Sequence, residues 1–187
     1  GLADIFLTSN TGENKLYLNK GNFKFEDITV KAQIVKDDKW YTGVAFADLN
    51  NDGWLDIYVC SSGHMSTGNR KSKLFINNRD LTFTESAANF GLDISAYTAQ
   101  VSFFDYDLDG DLDCFVINNS PMPINNLGYE NKRDLLESEW PVADFLKGGG
   151  DHLYRNDNNK FVEVTKQTGI HGTLISFGLG VSVSDVN

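Results

Sequence analysis

The sequence predicts an all-β fold: a partial β-propeller of about three four-stranded blades, with calcium-binding β-hairpin loops. Three observations point to it. An acidic nine-residue stretch occurs twice in full, Asp48-Leu-Asn-Asn-Asp-Gly-Trp-Leu-Asp56 and Asp105-Tyr-Asp-Leu-Asp-Gly-Asp-Leu-Asp113, 57 residues apart. A second signature occurs three times, as Leu16-Tyr-Leu-Asn19, Leu74-Phe-Ile-Asn77 and Leu153-Tyr-Arg-Asn156. Each copy is followed by a turn and a strand-like segment carrying Phe25, Phe83 or Phe161. Self-similarity at this period, with four short strands in each unit, is the pattern of a propeller blade.

The first strand of a unit is the run before the acidic loop: Val44–Asp48, Val101–Asp105 and Val181–Asp185. Small residues occupy one parity of it (Ala45 and Ala47; Ser102; Ser182 and Ser184), as a strand crowded against a central channel requires. The second strand follows the loop, as Asp56–Cys60 and Asp113–Ile117, with Asp4–Leu7 as its counterpart. It is apolar at consecutive positions, which fits a strand covered on both faces by neighbouring blades. The third strand is the Leu-aromatic-x-Asn segment, or Leu-Tyr-Arg-Asn in the last copy, and its asparagine suits the turn that follows. The fourth is the phenylalanine segment. Blade units then run roughly 1–39, 40–96 and 97–174, with the start of another at 175–187. An insertion spans about 118–150, with a short helix expected over Lys132–Glu139, ended by Pro141, and a flexible Gly148–Gly150. Gly1–Asp4 and Ser184–Asn187 read as the back and front halves of the acidic motif, so a longer parent protein is expected.

The loops read as calcium sites. Oxygen-bearing side chains stand at positions 1, 3, 5 and 9 with glycine at 6: Asp48, Asn50, Asp52 and Asp56 around Gly53, and Asp105, Asp107, Asp109 and Asp113 around Gly110. The carbonyl oxygens of Trp54 and Asp111, at position 7, are further candidate ligands. Hard oxygens at this density suit Ca²⁺, which takes roughly 6 to 8 of them in flexible geometry. An EF-hand shares the first half of the pattern but needs a glutamate at position 12 and flanking helices. Position 12 is Val59 or Val116, and the flanks are β-rich.

The 187 residues carry a formal charge of −10, which argues against a nucleic-acid backbone as partner. Ten of the 26 acidic residues lie in the loop motif or its remnants, so much of the charge is metal-site charge. No apolar run approaches the ~20 residues of a membrane span. Cys60 and Cys114 are expected as buried free thiols, because their offset after the loop-ending aspartates places them about 10 Å apart in height on equivalent strands.

Catalytic signatures are weak. His64, His152 and His171 are scattered, Gly178-Leu-Gly180 fails the dinucleotide pattern, and no GxSxG elbow appears. A calcium-held carboxylate stays ionised and makes a poor general acid. Asn118-Asn-Ser120 is formally a glycosylation sequon.

The long loops fall on the face opposite the calcium hairpins. Trp40, Tyr41, Tyr97, Tyr129 and Trp140 are the candidates there for stacking on a sugar or a protein partner; the alternative for Trp40, Tyr97 and Phe177 is a packing role between blades.

The DxNxDGxxD and DxDxDGxxD loops, the preceding VxFxD strand and the following Leu-aromatic-x-Asn segment resemble the FG-GAP/VCBS repeats of integrin-α-type propellers. The segments Asp151–Asp157, Lys160–Ile170 and Phe177–Asn187, with Ile117–Ser120, resemble the VCBS proteins related to cartilage acidic protein, which often carry an ASPIC/UnbV domain. The resemblance implies a propeller of about seven blades, of which this chain holds about three; the remaining blades would cover its open edges. Taken together, these readings lead to the expectation of a non-enzymatic, secreted or cell-surface recognition and adhesion module that binds glycan or extracellular protein and is stiffened by calcium. The rival is a calcium-propeller enzyme acting on polysaccharide or phosphate ester, for which only His64, Arg70, Lys71, Lys73, Lys132 and Arg133 offer a basic cluster.

Overall fold

The computed structural model describes residues 1–34, 37, 39–63, 69–121 and 135–186. Their strands form three antiparallel sheets, each a meander in chain order. The first contains β1 (Ile5–Leu7), β2 (Lys15–Asn19) and β3 (Phe25–Asp27). The second contains β4 (Tyr41–Ala47), β5 (Asp56–Ser61), β6 (Lys73–Asn77) and β7 (Phe83–Glu85). The third contains β8 (Thr98–Phe104), β9 (Asp113–Asn118), β10 (His152–Asn156) and β11 (Phe161–Glu163). Among the described residues, only short helical turns interrupt the β architecture, including α1 (Ala87–Phe90) and α2 (Thr165–Thr168), each following the fourth strand of its sheet.

The core lies between the sheets rather than within any one of them. Phe6, Leu16 and Ile28 of the first unit pack with Tyr41, Ile57, Val59, Phe75 and Phe83 of the second. A separate cluster joins Tyr58, Cys60 and Leu74 of the second sheet to Val101, Cys114 and Val116 of the third. Alternation along β5 explains its composition: Ile57 and Val59 enter one cluster, Tyr58 and Cys60 the other, and all six residues of the strand are buried. A strand with period-two side chains can be apolar throughout only when both of its faces are covered. Cys60 and Cys114 are buried and unbonded, and burial pushes the Cys60 thiol up to about 12.

Adjacent sheets meet closely at their first strands. A Cβ on Gly43 of β4 would lie 2.6 Å from the Ala99 carbonyl oxygen and 2.2 Å from Gln100 Oε1 of β8. The pairing of β4 with β5 shifts register between Tyr41 and Val44, so Gly43 lies at an irregularity in the strand. Gly43→Ala must therefore push β4 and β8 apart, with an expected loss of about 1–3 kcal/mol in chemical denaturation.

Three expectations need correction. Val181–Asp185 is not a strand, since no edge among the described residues pairs with it. The helix expected over 132–139 reduces, among the described residues, to a 3-10 turn at Glu137–Glu139. Leu136 before it is extended and bridges to Thr173, which consumes the backbone that a longer helix would need. The phenylalanine strands are three residues each, because in the second and third units the chain turns into α1 and α2 straight afterwards.

Candidate metal loops and the opposite face

Both acidic loops fold by the same internal bonds. The backbone N–H groups of positions 5 and 6 donate to the two oxygens of the position-1 aspartate. In the first loop these are Asp52 N to Asp48 Oδ1 at 3.0 Å and Gly53 N to Asp48 Oδ2 at 2.7 Å. In the second, Asp109 N and Gly110 N reach Asp105 at 3.2 and 3.1 Å. The position-7 N–H donates to the position-5 carboxylate, at 2.9 Å for Trp54 to Asp52 and 3.1 Å for Asp111 to Asp109. Gly53 and Gly110 sit at φ +86° and +95°, where a side chain would be strained. Asn51 Nδ2 donates to the Gly110 carbonyl at 3.4 Å, so the two loops touch.

The loops differ in what their carboxylates face. One oxygen each from Asp105, Asp107 and Asp109 lies within 4.8 Å of the others. Among the described residues, Asp111 Oδ1 is covered without a hydrogen-bond partner, and its carboxyl is pushed up to about 6 by burial and then by Asp109, Asp113 and Asp107. An all-oxygen donor set, anionic and under-neutralised, fits a hard divalent cation. In the first loop Asp52 already pairs with Arg79 at 3.1 Å and accepts from Asn50 Nδ2 at 3.1 Å. Burial raises the Asp52 pKa, but Arg79 and these hydrogen bonds outweigh it and the net shift is downward. Arg79 had no signal in the repeats: its counterparts two residues after the turn asparagine are Gly21 and Asn158.

The position-9 aspartates hold a structural post in addition to their candidate ligand role. Asp56 and Asp113 are fully buried. Asp56 accepts from Asn77 N at 2.9 Å and Leu49 N at 3.0 Å; Asp113 accepts from Asn156 N and Tyr106 N, both at 2.9 Å. Asp4 takes Asn19 N in the same way at 2.8 Å. Each asparagine returns the contact, its Nδ2 donating to the carbonyl of the residue before the aspartate: Ala3, Leu55 or Leu112. Its Oδ1 takes the turn N–H of Gly21, Arg79 or Asn159. The turn role expected for these asparagines is met, and the reciprocal clip to the aspartate is additional.

On the opposite face the candidate aromatics separate. Trp40 is 47% exposed and lines a cleft of about 280 Å³ with Ser62, Tyr97, Asn119 and Ser120. Tyr41, Tyr97 and Trp140 are buried, which corrects the expected exposure of Tyr41 and Trp140 and gives Tyr97 the packing role named as its alternative. Tyr41 belongs to the core between the first two sheets; the Tyr97 hydroxyl donates to the Phe145 carbonyl at 2.6 Å and Trp140 Nε1 to the Leu135 carbonyl at 3.2 Å. Tyr129 lies outside the described residues. Asn118 of the sequon is also fully buried: its Nδ2 donates to Gly150 and its Oδ1 accepts from Thr98. Of the basic cluster, Lys71 pairs with Asp93 and Lys73 with Glu85, while His64, Lys132 and Arg133 lie outside the described residues.

Residues 135–150 are tethered to the third sheet through Glu137. Its carboxylate faces His152 Nε2 at 3.4 Å and accepts from the N–H groups of Gly148 and Gly150; His152 Nδ1 lies 3.7 Å from Glu163. Burial lowers the His152 pKa, but Glu137 and Glu163 outweigh it and the net shift is upward from 6.5; for Glu137 burial is likewise outweighed and the net shift is downward from 4.5. The stabilisation from His152 is thus full below pH 6.5 and fades as pH climbs through its raised value, while that from Glu137 fades as pH falls through its lowered value. Melting temperature should decline modestly from about pH 6 to pH 8, by the equivalent of about 1 kcal/mol or less, and Glu137→Gln should remove that part of the decline.

No helix among the described residues is long and apolar enough to cross a membrane. Residues 1–59, which contain the first acidic loop, match the model of the FG-GAP-like repeat. The chain is also 40% identical over 55 residues to cartilage acidic protein 1 of Mus musculus, an alignment covering 29% of this chain and 8% of that protein.

Proposed function

We propose, from the match of residues 1–59 to the FG-GAP-like repeat, that the chain is part of a calcium-stiffened, extracellular propeller that recognises a glycan or a protein without enzymatic action. The observation that carries the reading is the convergence of Asp105, Asp107 and Asp109 within 4.8 Å beside the orphaned Asp111 oxygen. Calcium there would supply the charge neutralisation that the loop's own residues lack. The calcium concentration outside cells also suits sites of ~10⁻⁴ to 10⁻³ M affinity. Further blades would cover the outer face of β1, where Ile5 and Leu7 are 40% and 52% exposed. Recognition is assigned to the long-loop face, where Trp40 offers an exposed ring beside Ser62 and Asn119.

The test is thermal unfolding of the full-length protein in millimolar calcium and after chelation. Two weak sites predict a fall of roughly 5 °C on chelation. An unchanged melting temperature would remove the structural role from calcium. A glycan array and a protein-capture screen, repeated with Trp40→Ala, would test recognition; hits that ignore Trp40 would place binding elsewhere.

A further inference from the structure

A second cleft on the long-loop face, about 450 Å³ in volume, lies between the linker 91–96 and the third sheet. Arg70, Asp93, Glu137, Asp144, Lys147 and His152 contribute its charged lining. Arg70 is only 7% exposed. Its guanidinium lies 4.4 Å above the Tyr97 ring, and Nη1 donates to the Tyr97 hydroxyl at 3.1 Å. Its Nε is buried and, among the described residues, has no hydrogen-bond partner. A buried cation is expected to have both a counter-charge and satisfied N–H groups. Stacking on Tyr97 supplies part of the first and leaves Nε bare.

The carboxylates lining the cleft do not supply the rest. Asp93 pairs with Lys71, Asp144 with Lys147 at 3.1 Å, and Glu137 with His152 and two backbone N–H groups. Among the described residues, no acidic side chain is paired with Arg70.

We propose that this cleft binds an acidic saccharide, with Arg70 receiving the sugar carboxylate. The inference rests on the recognition reading above and names its ligand class. A guanidinium edge that includes Nε matches a planar carboxylate with two parallel N–H···O bonds. The volume falls within the ordinary range for small-ligand sites. Asp93, Asp144 and Glu137 ring the site with acceptors for sugar hydroxyls, and the same three charges oppose a phosphate dianion more strongly than a carboxylate monoanion.

The experiment is isothermal titration of the full-length protein with galacturonate oligosaccharides and with their methyl esters, which keep the shape and delete the charge. The acid should bind about 10- to 100-fold more tightly than the ester, the range for a charge-assisted hydrogen-bonded contact. Arg70→Gln should erase that difference, and Arg70→Lys should restore only part of it. The acid-to-ester comparison needs no altered protein, so it decides the matter even if Arg70→Gln fails to fold. Equal binding of acid and ester, or a preference that survives Arg70→Gln, overturns the inference and leaves glycan recognition standing. If neither saccharide binds, the acidic-saccharide site is refuted; glycan recognition as a whole falls with it only if the array also returns no glycan.

Discussion

Replacing Asp113 by alanine is expected to cost about 3–5 kcal/mol. Its carboxylate is fully buried and receives the N–H groups of Asn156 and Tyr106 on its two oxygens, both at 2.9 Å. Removing it strands two donors in a site that excludes water, at about 1–3 kcal/mol each. It also frees the carboxylate's end of the clip that binds β9 to the turn after β10. Asp113→Asn keeps one acceptor and turns an amide toward the other donor, so about half of the loss is expected. Asp157→Ala, at an exposed ion pair with Arg155, should leave the denaturation midpoint nearly unchanged. Urea denaturation of the full-length protein in chelator isolates this term from any loss of bound cation. A cost below 1 kcal/mol for Asp113→Ala would mean that loop backbone and water rearrange to satisfy the stranded groups.

The repeat was legible because blade packing leaves a periodic imprint. β5 reads Asp-Ile-Tyr-Val-Cys-Ser, and the alternation that sends Ile57 and Val59 one way and Tyr58 and Cys60 the other is a direct consequence of its two covered faces. The loop signature was legible because oxygen ligands and a positive-φ glycine are demanded at fixed spacing. Strand ends were less legible. The fourth strands stop after three residues when α1 or α2 begins, and nothing in Phe-Thr-Glu or Phe-Val-Glu announces the turn.

The site was legible only where it repeats. Asp56 and Asp113 stood out as ligands, yet their buried hydrogen bonds join residues 21 and 43 positions apart, a pairing that only the folded sheet reveals. The recurrence of aspartate with asparagine in all three units was the available hint. The aromatic residues stayed ambiguous, and Tyr41 and Trp140 were misread, because a ring looks the same on a surface and in a core. Tyr97 is buried beneath Arg70, and the carbonyl that receives its hydroxyl belongs to Phe145, 48 residues on.

If the two acidic loops bind calcium as proposed, they are expected to bind unequally, the second about 10- to 100-fold more tightly, because affinity in such loops follows ligand charge. The first loop offers Asp48, Asp52 and Asp56 with a neutral Asn50, and Arg79 already occupies one oxygen of Asp52. The second offers Asp105, Asp107, Asp109 and Asp113 with Asp111 close by, and among the described residues none of these carboxylates is paired with lysine or arginine. Calorimetric titration of the calcium-free, full-length protein, with its other sites accounted for, should lose the tighter event in Asp107→Ala and the weaker one in Asp48→Ala. Arg79→Ala should strengthen the weaker event by about 3- to 10-fold, since the competing cation is gone, while lowering stability in chelator. That pair of opposite changes separates a competing cation from a residue that merely props the loop: a prop, once removed, would weaken calcium binding and apo stability together.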